Sequence, residues 1–379
     1  MNCYTINSND FEETFKQLGC ENGGAKIIAK KTDVICLFIN DLHTGAANIL
    51  KQDALSIGAD LAVPRGTILN TTPTVDCILV GNSKHFEILA KKELAQPFGL
   101  KELAKQLKSF IKPKKQKTKI MGIINANDDS FYSQSRFSGD DAIKKIEQMI
   151  CDGADIIDIG GVSSRPGSDI ISAQEELERI KDICDTIKEK QLYKKVEFSI
   201  DSYTPSVIEY ALQSGFSIIN DITGLVDDEV CKLAAHYNAT VVIMHMLGSP
   251  KTMQNNPSYE DVIMEVNSFF EKQITKAKLY GIKDIVLDVG IGFGKTLEHN
   301  LMLLRNMDTY LHFGYPILLG ASRKSMIEHL LGTTPNEERL AGTLAIHLEG
   351  INKGASLIRC HDVKEHYQAI QLHEAIQGI

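Results

Sequence analysis

The sequence predicts an α/β protein: a (β/α)8 TIM barrel over residues 119–379, preceded by a small α/β domain over residues 1–111 and joined to it by a basic linker, residues 112–118. Three observations carry this prediction. Eight short aliphatic runs follow one another from Lys119 onward, amphipathic segments separate them, and the stretch is close to the ~250 residues of one such barrel. The runs are KIMGIIN closing at Asn125, ADIIDIG with Asp158, VEFSID at Asp201, SIINDI with Asn220 and Asp221, TVVIMH at His245, IVLDVG with Asp288, PILLGAS at Ser322, and ASLIRCHD with Arg359 and His361. A strand buried on both faces gains nothing from ending in a carboxylate or amide unless that end opens on a solvated site. The pattern therefore places the chemistry on the C-terminal rim of the barrel.

The segments between the runs read as the helices that right-handed crossovers require. SGDDAIKKIEQMICDGA has Asp140 and Asp141 near its start and Gly153 just past its end, the polarity that capping and the helix dipole favour. AQEELERIKDICDTIKEK follows Pro166 and Gly167, and a long helix is expected from about Pro257 to Tyr280, stopped by Gly281. Between Asp201 and Asn220 the helix TPSVIEYALQSG is short. In the first 111 residues AKIIAKK, DVICLFIN, DLAVP and DCILVGN read as strands, and HTGAANILKQDALSIG, KHFEILAKKELA and GLKELAKQLKSFI as helices. The lysines and proline of residues 112–118 cannot build a core and read as a solvated connector.

Composition narrows the function classes. With 43% hydrophobic and 24% charged residues the chain reads as a soluble globular protein able to bury a sizeable core. A net charge of −8 argues against a general nucleic-acid binder but leaves room for a local cationic pocket and a small anionic ligand. Eight cysteines without a CxxC pair fit a reduced compartment. MNCYTINSNDFEETF has neither a basic nor an apolar targeting region, and no stretch approaches the ~18 apolar residues of a membrane span. The expectation is a cytoplasmic protein with no membrane or nucleic-acid partner. The histidines form no metal-ligand spacing, which speaks against a zinc site.

Asp201, Asn220 and Asp288, with Lys324 just after the seventh run, converge on one cavity if all eight strand ends share a rim. Their fixed donors and acceptors suit a flat heterocycle with adjacent N–H and C=O groups. One strand-end aspartate is as readily a helix cap; four such residues on different strands are not. Arg359 and His361 follow the last strand, where this fold binds phosphate, and imply an anionic substrate group. GGVSSRPGS, residues 160–168, reads as a mobile substrate loop or a plain turn, and NDDSFYSQSRF, residues 127–137, as a lid or a decorated surface loop. GIGFGK, residues 290–295, misses the full GxxxxGK[ST] spacing of a phosphate loop; its glycines let the backbone approach a ligand, with Phe293 as an apolar wall. His245 and Met246 line the pocket floor in one reading, and His245 is a satisfied structural histidine in the other.

These residues carry a resemblance to a known family. The barrel half resembles dihydropteroate synthase, of the pterin-binding TIM-barrel group, through NANDDSF (125–131), DIGGVSSRPG (158–167), SIDS (199–202), IND (219–221), MHM (244–246), DVGIGFGK (288–295), GASRKS (320–325) and RCHD (359–362). The resemblance covers about residues 119–379 and leaves residues 1–111 without a role. It implies condensation of 6-hydroxymethyl-7,8-dihydropterin pyrophosphate with 4-aminobenzoate, giving 7,8-dihydropteroate and pyrophosphate, and marks the chain as a sulfonamide target. It further implies that Asp201, Asn220, Asp288 and Lys324 read the pterin. Asn125 would hold pyrophosphate through Mg²⁺, together with Arg165, Arg359 and His361, while Ser164, Pro166, Phe293, Ser322 and Lys324 surround aminobenzoate. Asp129, Ser130 and Phe131 would form a lid, and a homodimer would form through barrel helices.

The sequence departs from the family at Asn127 and Asp128, where Thr and Pro are usual, at Val289 in place of a proline, and at Ser164 in place of Thr. Two rival readings share the pterin readers: a methyltransferase of the same barrel group acting with a corrinoid partner, and a non-catalytic pterin-binding barrel. The SRK and RCHD segments, suited to aminobenzoate and pyrophosphate, favour the synthase over the first. The altered Asn127-Asp128 pair alone supports the second.

Overall fold

The computed structural model describes residues 3–378 apart from 5, 7, 9, 109–116, 127–139, 163–170, 333 and 334. The expected lid residues Asp129, Ser130 and Phe131, the loop residues Ser164, Arg165 and Pro166, the departures Asn127 and Asp128, and most of the linker therefore lie outside the described residues. The chain divides into two compact units, chiefly residues 1–114 and 115–377.

In the first unit, strands β1 (Ile35–His43), β2 (Asp60–Ala62) and β3 (Thr74–Gly81) form an antiparallel sheet in the order β1-β3-β2. Alternation along β3 buries Cys77 and Leu79 and leaves Ile78 exposed, so one sheet face is covered. Its cover includes helices Thr44–Leu55, Ser83–Lys92 and Leu100–Leu107, whose Leu50, Phe86, Leu89 and Leu103 share a core with Leu61 and Leu79. The segment AKIIAKK, expected as a strand, lies instead in and just after a helix, Asn22–Ala29. It has no ladder position in the three-stranded sheet, and helical pairing such as Ala25 N–H to Glu21 O (2.9 Å) satisfies its backbone locally. A further helix, Phe11–Gln17, is capped by the Asp10 side chain.

The second unit is a closed parallel barrel. Each of the eight expected runs supplies one strand: β4 (Lys119–Asn125), β5 (Ile156–Gly160), β6 (Glu197–Asp201), β7 (Ile218–Asp221), β8 (Thr240–Met244), β9 (Ile285–Asp288), β10 (Ile317–Leu319) and β11 (Ala355–Cys360). The last strand closes on the first with Ile358 opposite Ile120 and Cys360 opposite Gly122. Met121, Ile156, Ile218, Val242, Val286, Leu318 and Leu357 form one buried apolar cluster drawn from seven strands. Two residues further along the same strand faces come Asp158, Asn220, Asp288 and Arg359. An apolar layer thus floors a polar one, and the period of two produces both.

Helix starts follow local chemistry. Ser172 caps Ala173–Glu189 through Glu175 N, and Pro205 opens Pro205–Gln213 at a position where a missing N–H costs nothing. The long helix expected from about Pro257 begins later, at Val262, and runs to Leu279. Asp261 is extended and its carboxylate accepts from Ile263 N and Met264 N (2.8 and 3.1 Å), so the cap fixes the start there. Among the described residues no helix is long and apolar enough to cross a membrane. Fully buried Phe270 of this helix meets Tyr310 edge-on at 5.5 Å. Phe270→Ala should lower stability by about 3–5 kcal/mol, read as a shifted midpoint in urea unfolding.

Candidate active site

The ladder registers set the polar layer side by side: Gly160 lies opposite Asp201, and Asp201 opposite Asn220. From β11, Arg359 reaches across this layer. Its Nε donates to Asp158 Oδ2 (2.6 Å) and its Nη2 to Asp201 Oδ2 (2.7 Å). Asn220 Nδ2 donates to the same Asp158 oxygen at 3.1 Å. Asp158 is completely buried and joins Arg359 to Asn220, a role that sequence reasoning did not give it. The available signal was its place in ADIIDIG, two residues beyond the apolar layer.

Burial pushes the Asp201 carboxyl up, to about 7, against the pull of Arg359 and with further upward pressure from Asp158, Glu176 and Asp221. Burial alone would lower Arg359, yet Asp158 and Asp201 hold it above its ordinary range, so the guanidinium stays charged. Glu176 lies close by, its Oε2 accepting from Thr204 Oγ1 at 2.6 Å, and burial raises it as well. Asp158 Oδ1, Glu176 Oε1 and Ser199 Oγ are buried with no hydrogen-bond partner among the described residues.

On the other side of the mouth, Asp288 Oδ1 accepts from Gly290 N at 2.7 Å; burial raises this carboxyl while Lys324 opposes the shift. Lys324 donates to Ile291 O and stands 4.5 Å from the centre of the Phe293 ring, a cation–π contact. Burial lowers it to about 8, with Asp288 pulling back. Gly290 is at φ +67°, and a Cβ there would lie 1.9 Å from His245 O, so only glycine fits. Lys295 is a strut rather than a phosphate ligand. Its Nζ bonds to the carbonyls of Gly290, Phe293 and His245 (3.0, 3.0 and 3.2 Å) and to His245 Nδ1 (3.0 Å). His245 accordingly takes the structural reading. Burial first, and then the charge on Lys295, drives it down to about 3.

Ser322 Oγ lies 2.9 Å from His361 Nδ1 and accepts from His361 N at 3.3 Å, so two expected substrate contacts also hold each other. Between Ser322 and Lys324, Arg323 turns away to Asp362, with Nε to Oδ2 at 3.0 Å and Nη2 to Oδ1 at 2.7 Å. Asn125 ends β4 opposite Gly160, at the same rim. Among the described residues no group of three or more His, Cys, Asp or Glu is disposed to hold a metal ion.

The chain is similar to known proteins of one family. Residues 121–361 match the family described as pterin binding enzyme. Dihydropteroate synthase of Escherichia coli K12 is 42% identical over 259 residues, covering 68% of this chain and 90% of the relative. The chain is a dihydropteroate synthase of the pterin binding enzyme family. A second relative of this synthase, named bifunctional dihydropteroate synthase/dihydropteroate reductase in Helicobacter pylori, is 39% identical over 373 residues, 98% of both chains. The solved Thermus thermophilus dihydropteroate synthase, in complex with 4-aminobenzoate, is similar at TM-score 0.61 and 36% identity, over 69% of this synthase and 95% of that chain.

Two expectations follow for the synthase. Arg359→Met removes the cation between two buried carboxylates and should cost about 3–5 kcal/mol in chemical unfolding at pH 7.5, more than the same change at an exposed arginine such as Arg305. The folded value of His245 lies below the ordinary 6.5. Its stabilising contribution is thus complete above pH 6.5 and is lost as pH falls toward 3, because the folded state resists protonation. Unfolding free energy should fall more steeply on acidification in the native enzyme than in His245→Gln, by up to about 1.4 kcal/mol per pH unit within that window.

Proposed function

We propose that this synthase joins 6-hydroxymethyl-7,8-dihydropterin pyrophosphate to 4-aminobenzoate, with the rim residues divided between the two substrates. The observation that carries the assignment is the meeting of Arg359 with Asp158 and Asp201 beside Asn220, in the same polar layer as Asp288. Asp201, Asn220, Asp288 and Lys324 read the edge of the pterin. Arg359 uses two of its five N–H groups on the carboxylates, and the others face an anion. With His361 and Arg165 it holds the pyrophosphate. Phe293, the stem of Lys324, Ser322, Ser164 and Pro166 surround 4-aminobenzoate, the compound bound in the Thermus enzyme.

The reacting CH₂ carries a good leaving group on an electron-rich ring. Its C–O bond breaks first, pyrophosphate leaves with the bonding pair, and the resulting cation is attacked by the arylamine nitrogen, which then releases a proton. The protein needs little nucleophile activation. Arg359 and His361 stabilise the departing anion, the buried Asp288 favours positive charge on the ring, and the Phe293–Lys324 wall keeps the amine in line. Mg²⁺ would neutralise pyrophosphate charge, and Asn125 would hold it; one oxygen donor at the rim fits an ion that takes most of its ligands from phosphate and water. The enzyme acts in the cytoplasm as a homodimer.

A second activity, dihydropteroate reduction, is supported by the Helicobacter relative, whose name includes it and whose similarity runs through residues 1–111 as well as the barrel. Reduction of the product would consume a hydride, carrying two electrons, from a supplied reductant and one proton from solvent.

Steady-state assays test both readings. The full-length protein should form dihydropteroate from the two substrates with Mg²⁺ and lose most of that activity in EDTA. Asp201→Asn and Arg359→Met should each lower kcat/KM by about 10²-fold or more. Pterin binding without product would instead favour the methyltransferase or non-catalytic reading. Absence of tetrahydropteroate when NADPH or a reduced flavin is supplied would remove the second activity.

A further inference from the structure

The rim loop that carries Ser322 and Lys324 cannot continue the sheet, because Arg323 sits in the left-handed region at φ +57°. Two of its backbone donors, on Ala321 and Arg323, are met by helix Leu340–Asn352 instead. Ala321 N donates to His347 Nε2 (3.1 Å) and Arg323 N to Thr343 Oγ1 (2.9 Å). The match is geometric. Residues four apart on a helix are separated by about 6 Å along its axis, close to the ~6.6 Å between alternate residues of extended chain. One helix face thus serves this loop as a neighbouring strand would.

The bond from Ala321 fixes the rest. With Nε2 of His347 accepting, its proton is on Nδ1, which faces His366 Nε2 at 2.8 Å. The proton of His366 is then on its own Nδ1, donating to Asp362 O at 2.6 Å. Asp362 in turn holds the Arg323 side chain through both carboxylate oxygens. The circuit closes: Ala321 to His347, His366, Asp362, Arg323 and back to the loop. Both histidines are about 1% exposed. Burial holds each below its ordinary range, so both imidazoles are neutral. The charged or titratable groups around them are Lys324, His361, Asp362, Glu365 and Arg323.

We infer that Thr343, His347 and His366 are positioning residues: the circuit sets the distance from Ser322 and Lys324, after β10, to Arg359 and His361, at the end of β11. Because Ser322 and Lys324 contact the second substrate only in the assignment proposed above, the inference rests on that reading for its kinetic consequence. The circuit itself does not.

Kinetics and spectroscopy of the full-length enzyme test the inference together. Thr343→Val and His366→Leu should each raise KM for 4-aminobenzoate about tenfold and KM for the pterin pyrophosphate no more than about threefold, an effect on the scale of one hydrogen bond. Thr343→Ser and His366→Gln, which keep an acceptor, should recover most of the loss. Ile370→Ala, a core change on the His366 helix, should lower the melting temperature and leave both KM values in place. In ¹⁵N-histidine spectra at pH 7 both imidazoles should carry their proton on Nδ1. The inference is overturned if the conservative variants fail to rescue, if Ile370→Ala shifts KM as strongly as the others, or if either histidine is an Nε2–H tautomer or an imidazolium. An inactive native enzyme would defeat the substrate reading, while the tautomer spectra would still judge the circuit.

Discussion

Ala355–Cys360 pairs in parallel with Lys119–Gly122, and this last ladder carries Arg359 to carboxylates on β5 and β6, 201 and 158 residues earlier in the chain. Closing so long a loop adds little cost over a shorter one, since the entropy rises only with the logarithm of length. What the closure creates is a charged group held over an apolar layer, where burial raises the Asp201 carboxyl and Arg359 opposes that rise. The carboxylates need the guanidinium, the guanidinium needs the strand, and the strand is held by the layer beneath it. Stability and chemistry at the mouth therefore share one set of contacts.

The cations near the rim divide by orientation. Lys295 and Arg323 turn inward, one against three carbonyls and an imidazole, the other against the Asp362 carboxylate and the Asn336 carbonyl. Lys324 and Arg359 face the polar layer. The inward pair replaces lost hydration with protein acceptors, which lets irregular backbone pack tightly without leaving carbonyls unmet. Loops so tied present ligand-facing groups in fixed places, and this is how a site built on loops acquires the precision of a site built on strands.

The expected site residues were legible for a physical reason. A parallel strand covered on both sides must be apolar along its length, so Asp201, Asn220 and Asp288 stood out as exceptions, and Lys324 and His361 stood out just past strand ends; Arg359, expected to follow the last strand, lies within β11. Asp158 was named with the polar residues of the eight runs but was given no role, because its partners Arg359 and Asn220 come from other strands and no local pattern pairs them. Thr343 and His347 on helix Leu340–Asn352 and His366 on helix Val363–Gln377 gave no signal at all: within helical segments they read as ordinary polar positions. The segment AKIIAKK misled because seven residues of mixed aliphatic and lysine character fit either period; in the structure it joins no ladder, and helical pairing satisfies its backbone instead.

By itself the sequence determined the barrel, its order of elements, and the rim as the place of chemistry, since each of these follows from periodicity and from polar residues placed against it. The tertiary structure alone decided who partners whom. Arg359 could have faced solvent, His245 a substrate and Arg323 the cavity as far as local pattern goes. The register of barrel closure and the left-handed turn at Arg323 chose otherwise, because hydrogen-bond partners that lie far apart in sequence are set by where the chain returns in space and not by its neighbours along the chain.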